Sequence, residues 1–117
     1  RITVYLDQQV GRDVARCLRA GYPIAAVFSE PATHRTLQIK SARADVGGVT
    51  PAEREFVRER YAAIVEHVAQ LDYPEEGVRC YFHYAPEHLV AVSFAPDAAF
   101  EQTPGPGAGA ALAGGSP

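Results

Sequence analysis

A chain of 117 residues is of single-domain size, and its 47% hydrophobic and 21% charged residues are the balance of a globular domain rather than a disordered one. Eleven Lys+Arg against 14 Asp+Glu leave a formal charge of −3, which argues against the basic excess that recognises nucleic acid or an anionic membrane. No apolar run approaches the ~18 residues of a membrane span and no signal peptide is visible, so a cytoplasmic location is expected. Cys17 and Cys80 are far apart, without CxxC or Cys/His spacing, and read as buried thiols of a reducing compartment.

Residues 1–6 alternate and are rich in β-branched side chains, which predicts a strand. It opens without a turn or cap, and the chain contains no Met, so a preceding segment is expected. Residues 7–11 form a polar lead into a short amphipathic helix over 12–20. There Val14, Cys17 and Leu18 make the apolar face, and Gly21 stands where a left-handed C-terminal cap belongs. The continuous apolar run 24–28 predicts a strand buried on both faces. After a turn at 29–33, residues 34–46 alternate as one long half-buried strand, with Leu37, Ile39 and Ser41 on one side and Thr36, Gln38 and Lys40 on the other. The intervening turn is too short for a parallel crossover, so the two strands are expected to pair antiparallel.

Gly47 and Gly48 break the pattern, and Thr50-Pro51-Ala52-Glu53 is a capping box with proline at the first helical position. The helix begun there places Val57, Tyr61, Ile64, Val68 and Leu71 in a stripe and ends at 72–74. Residues 74–84 are a candidate further helix. Pro86 and Glu87 turn the chain, and residues 88–94 are a last strand that runs on past Pro96 towards Phe100. The order β-α-β-β-α-(α)-β predicts an α+β domain over 1–102 with a mainly antiparallel sheet and flanking helices. Residues 103–117 form a Gly/Pro/Ala-rich tail, with five Gly and three Pro, that is either mobile or pinned to another surface. So thin a core favours a dimer.

Little in the chain carries catalytic chemistry by itself. Pro86 keeps His83 and His88 from the i, i+4 geometry of a helical metal pair, and no Gly-x-Ser-x-Gly or Cys–His arrangement is present. Arginine is the exception, supplying ten of the eleven basic residues. Arg12 stands at the start of the first helix, where the backbone N–H groups and the dipole already favour an anion and a guanidinium adds a bidentate phosphate donor. The competing reading is a solvated arginine at a helix start. Arg35 is open to the same two readings, as a ligand contact or a cross-strand ion-pair partner.

The runs Ile2-Thr-Val-Tyr-Leu-Asp7, Gly11-Arg12, Pro23-Ile-Ala-Ala-Val-Phe28 and Thr33-His-Arg-Thr-Leu-Gln-Ile-Lys40 resemble the pyridoxamine 5′-phosphate oxidase-like superfamily of flavin-binding split β-barrels. Phe100-Glu-Gln-Thr-Pro-Gly-Pro-Gly-Ala-Gly109 is similar to the tail of one branch of it. The resemblance implies a split barrel and a homodimer with FMN at the subunit interface, acting as an oxidoreductase. It also implies Leu6 and Asp7 at the flavin, Arg12 on the FMN phosphate, and Arg35 and Thr36 against the cofactor. Asp13 stands where the family has Lys, Thr36 where it has Gln and Ser41 where it has Gly. The family's first two strands are expected upstream of Arg1. Asp13 and Thr36 favour an alternative of a different class, a non-catalytic dimeric binding module that has lost flavin or holds haem or another planar ligand. A third reading is a structural dimer whose tail crosses onto the partner.

Overall fold

The computed structural model describes residues 1–81 and 83–112. Two three-stranded antiparallel sheets carry the fold. Sheet A has the order β1-β5-β4, from β1 (Ile2–Asp7), β5 (Leu89–Phe94) and β4 (Asp45–Gly47); sheet B has the order β2-β3-β6, from β2 (Ile24–Ser29), β3 (Thr36–Ser41) and β6 (Ala98–Glu101). Helices α1 (Arg12–Arg19), α2 (Pro51–Ala69) and α3 (Glu75–Tyr81) complete it, with a 3₁₀ turn at Pro86–His88. This is the expected α+β class. No helix among the described residues is long and apolar enough to cross a membrane.

The β2–β3 hairpin pairs antiparallel as its short turn requires, Ile24 against Ser41 through Ser29 against Thr36. The expected long strand over 34–46 is instead two strands in different sheets. Ser41 is buried and donates to the Arg43 carbonyl, the Ala42 amide donates to Asp97, and the Asp97 amide donates to the Lys40 carbonyl. Those bonds turn the chain through a corner, and buried Ala44 is small enough to cross the core there. The strand expected to run past Pro96 breaks at the same corner: β5 belongs to sheet A and β6 to sheet B. Proline lacks the donor a continuous ladder would need.

Between the sheets and α1 lies the main core of Leu18, Ile24, Ala44, Val92 and Phe94, with Ile2, Val4, Leu6, Ala26, Ile39 and Val46 packed around it. Only one end of β2 reaches that core. Ile24 is buried, but Val27 is 59% and Phe28 38% exposed, so the expectation of a strand buried on both faces is corrected. β2 is an edge strand, and nothing among the described residues covers its outer face.

Helix α1 ends in a Schellman motif. Gly21 adopts φ 92°, its amide donates to the Leu18 carbonyl, and the Tyr22 amide donates to the Cys17 carbonyl. Its buried face is Ala15 and Leu18; Val14 is 54% exposed and Cys17 is exposed, which corrects the expected stripe. The small Ala15 lets α1 lie close to the core, and the i, i+3 pair suffices for a helix of 8 residues. Cys80 is exposed as well, so neither thiol is the buried group expected.

The capping box of α2 forms as read: Glu53 N–H donates to Thr50 Oγ1 at 3.1 Å, and Thr50 N–H donates to Glu53 Oε1 at 3.0 Å. Val65 and Val68 are buried and Tyr61 packs on them, whereas Ile64 is 45% exposed and drops out of the expected stripe. The buried line steps through 57, 61, 65 and 68, and residue 64 stands about 100° away from 65 on the helix. Tyr61 ties α2 to the chain beyond its C-terminus, donating to the Arg79 carbonyl and meeting the Tyr84 ring edge-on at 5.2 Å.

Candidate functional site

The turn after β1 is organised by one carboxylate. Asp7, with its side chain only 9% exposed, accepts the Gln9 and Val10 amides on Oδ1 at 2.9 and 3.2 Å and the Ala85 amide on Oδ2 at 2.9 Å. Its carbonyl accepts the Gly11 amide. His88 Nδ1 lies 3.8 Å from Oδ1. The Ala85 hydrogen bond, helped by those of Gln9 and Val10 and by the His88 charge, holds this carboxyl below its ordinary pKa against the opposing effect of burial. Leu6 points the other way, into the main core, and its side chain lies over Gly11: a Cβ there would stand 2.6 Å from Leu6 Cδ1.

The same turn presents Arg12. Gly11, the N-cap, offers no side chain to α1, so the first-turn amides have no capping acceptor among the described residues. Arg12 is exposed and its guanidinium makes no hydrogen bond or ion pair among the described residues. The neighbouring Asp13 carboxylate is drawn to Arg16, at 3.0 Å.

Arg35 and Thr36 lie at the other end of the hairpin from the corner. Arg35 is exposed and lines an open groove of about 460 Å³ with Phe28, Ser29, Glu30 and Leu37. Every polar group of Thr36 is engaged: its hydroxyl donates to the His34 carbonyl and lies 2.9 Å from Ser29 Oγ, its amide donates to Thr103 Oγ1 at 3.0 Å, and its carbonyl accepts the Gln102 amide. Thr103 in turn donates to the Glu101 carboxylate, which this contact and the nearby Arg35 charge hold below the ordinary glutamate range.

Leu6, Asp7 and Arg12 thus share one turn, and Arg35 and Thr36 share one strand end. No hydrogen bond among the described residues joins the two sets. Three contacts that sequence reasoning did not anticipate prove to matter here. His88 stands beside Asp7, Glu53 accepts from Tyr5 Oη at 2.9 Å, and Thr103 holds Thr36. Each contact joins residues at least 48 positions apart, so the tertiary fold creates it and no local motif announces it.

Tested against FMN, the donor set fits at one end. The uncapped first turn of α1 with a free guanidinium suits a phosphate. Asp7 and the Thr36 hydroxyl, expected at the ring, are already committed to the fold. Comparison of the chain with protein-family models, with curated proteins and with solved structures finds no match.

Proposed function

We propose that this chain is a cytoplasmic FMN-binding protein of the split-barrel kind, a homodimer in which sheets A and B are the two halves of the barrel, and that it acts as an oxidoreductase. The observation that carries the reading is the open first turn of α1 with Arg12 at its head, unpaired among the described residues. Two independent sources of positive potential, the aligned amides and the guanidinium, meet there. When bound, a flavin supplies the electron or hydride chemistry, and the protein supplies binding, orientation and electrostatics. Asp7 would act through the backbone: by taking the Gln9 and Val10 amides it sets the turn from which Arg12 projects. Arg35, exposed beside Phe28 and Leu37, is the second cation available to the ligand, above an apolar wall. Thr36 would position the strand end through Thr103 and Gln102 rather than bond the ring.

An absorption spectrum taken after adding FMN and removing the excess by gel filtration tests the reading. A retained flavin double band is expected. Asp13→Lys should tighten FMN binding, and Arg12→Ala should weaken it, both read by quenching of flavin fluorescence. Indifference to both substitutions would remove the phosphate site from α1.

A second reading is favoured by the full engagement of Asp7 and Thr36: a non-catalytic dimeric binding module on the same scaffold, which has lost flavin or takes haem or another planar ligand at the Arg35 groove. A protein that stays colourless with FMN, or one that shows a Soret band with haem, would point to it.

A further inference from the structure

Residues 103–112, Thr-Pro-Gly-Pro-Gly-Ala-Gly-Ala-Ala-Leu, lie along sheet B without the usual means of holding a segment there. Residues 104–112 are all exposed, Leu112 at 40%, so burial of apolar side chains contributes little. Their glycines add to the chain entropy that fastening must overcome. What holds the segment is polar, and it converges on one residue.

Glu101 closes β6 and engages the segment at both of its ends. Its carboxylate accepts the Thr103 amide at 3.1 Å and the Thr103 hydroxyl. Its carbonyl accepts the Gly109 amide at 2.6 Å, and its amide donates to the Ala110 carbonyl at 2.8 Å. Farther along, the Leu112 amide donates to the Ala99 carbonyl and Ala111 bridges to Phe100. Residues 110–112 thereby cover the backbone groups of Ala99 and Glu101 that face away from β3. Left bare, such groups are a template for an added strand.

The Thr103 hydroxyl sets the direction of this network. Its oxygen accepts the Thr36 amide, and its proton goes to Glu101. Both Thr103 donors meet on the same oxygen, Oε1. Bonds to an ionised acceptor are roughly twice as strong as neutral ones, so this crowded pair depends on the charge.

No residue of 103–112 is titratable, so a response of the segment to pH runs through the groups around Glu101. On the neighbouring chain these are Arg35, Lys40 and Glu30. Lys40 lies over the Phe100 ring, on the other face of the sheet, and the Glu30 carboxylate accepts the Thr33 hydroxyl. The Thr103 bonds, helped by the Arg35 charge, hold Glu101 below the ordinary glutamate range. With the folded pKa below the unfolded one, the hold is complete above the unfolded value of about pH 4.3 and is lost as the pH falls through the folded one.

We propose that residues 103–112 are a releasable guard on the β6 edge, latched by Glu101 and opened when its carboxylate takes up a proton. Opening bares Ala99 and Glu101 of β6 and frees the Thr36 amide, while the rest of sheet B stays paired. The device lies within the chain and stands without flavin.

Hydrogen exchange tests the latch, with each amide's protection taken relative to its intrinsic rate. Glu101→Gln keeps the shape of the side chain and removes its charge. At pH 7 it should lower protection of the Gly109 and Leu112 amides about tenfold, the loss expected for a charge-assisted bond made neutral. Ile39 in β3 and Val92 in β5 should keep theirs. The wild type should show the same selective loss on acidification below about pH 4. Arg35→Ala should move that opening to higher pH and leave the guard closed at pH 7, an effect that a merely structural Glu101 would not produce. Wild-type protection at Gly109 and Leu112 in Glu101→Gln would overturn the latch. A loss that reaches Ile39 and Val92 equally, in that variant or in acid, would overturn it too, since sheet and guard would then open together.

Discussion

Asp7 and Ala85, 78 positions apart, are joined by a 2.9 Å hydrogen bond from the Ala85 amide to the Asp7 carboxylate. One side chain thereby organises its own turn and pins the segment that enters β5. The 3₁₀ turn at Pro86–His88 is held on the same side, through the Gln8 amide to the His88 carbonyl and through Arg54 to the Pro86 carbonyl. Asp7, which the family resemblance implies at the flavin, is thus first of all a clamp between the end of β1 and the segment that enters β5.

Replacing Asp7 by Asn tests the clamp. The amide retains one acceptor oxygen for three backbone donors and turns N–H groups towards the others. Loss of such a charge-assisted network costs about 1–3 kcal/mol, read as a lower urea midpoint at pH 7. The pH dependence has a definite sign. The folded pKa lies below the unfolded one, so the contribution is complete above the unfolded value, about pH 4, and is lost as the pH falls through the lower folded value. The wild type should therefore lose stability on acidification, and Asp7→Asn should lose less. Equal acid losses in both would assign the effect to other carboxylates.

Gly11 and Leu6 make a second test of the same turn. The Gly11 φ of −99° is open to any residue, so the demand for glycine here is spatial: a methyl group would meet Leu6 Cδ1 at 2.6 Å and Cγ at 3.2 Å. Gly11→Ala should cost about 1–2 kcal/mol by overpacking. In a Leu6→Ala background the space exists, and the same substitution should cost much less. A double-mutant cycle in urea measures the coupling, and additive effects would mean that the Leu6 side chain moves aside freely.

What the sequence made legible was local. The Thr50–Glu53 box, the Gly21 stop and the antiparallel hairpin each depend on residues a few positions apart, and each formed as read. What it hid depends on partners far along the chain. Ser41 and Pro96 break two apparently continuous strands because Asp97 reaches the Ala42 amide across 55 positions. Val27 and Phe28 look like core because apolar runs mark buried strands, yet exposure is decided by what lies alongside, and here little does. Among the candidate site residues, Arg12 stands where helix-start reasoning put it, while the engagement of Asp7 and Thr36 rests on Ala85 and Thr103.

The capping box gives a control of known size. Thr50→Ala removes the acceptor for the Glu53 amide and should cost about 1 kcal/mol. Glu53 also accepts from Tyr5 on β1, so α2 and sheet A share this residue. Tyr5→Phe should add its own loss to that of Thr50→Ala less than fully, because freeing Glu53 from the box loosens the carboxylate that Tyr5 holds. Thermal melts of the two single variants and the double variant measure it, and strict additivity would show the two bonds to be independent.

The tail is the last test, and it separates a strap from a passive end. Thr103 accepts the Thr36 amide, Gln102 donates to the Thr36 carbonyl, and Gly109, at φ 90°, folds residues 110–112 back along β6. If this strap fixes the end of β3, Thr103→Val leaves the Thr36 amide without its acceptor while nearly keeping the side-chain volume. Hydrogen exchange at Thr36 should then accelerate, while exchange at Ile39, deeper in the ladder, stays close to wild type. Gly109→Ala should loosen the same end by straining a left-handed position, at about 1 kcal/mol. Acceleration spread evenly over β2, β3 and β6 would show instead that the tail supports the whole sheet. An unchanged Thr36 rate would mean that the Gln102 bond alone holds the strand end.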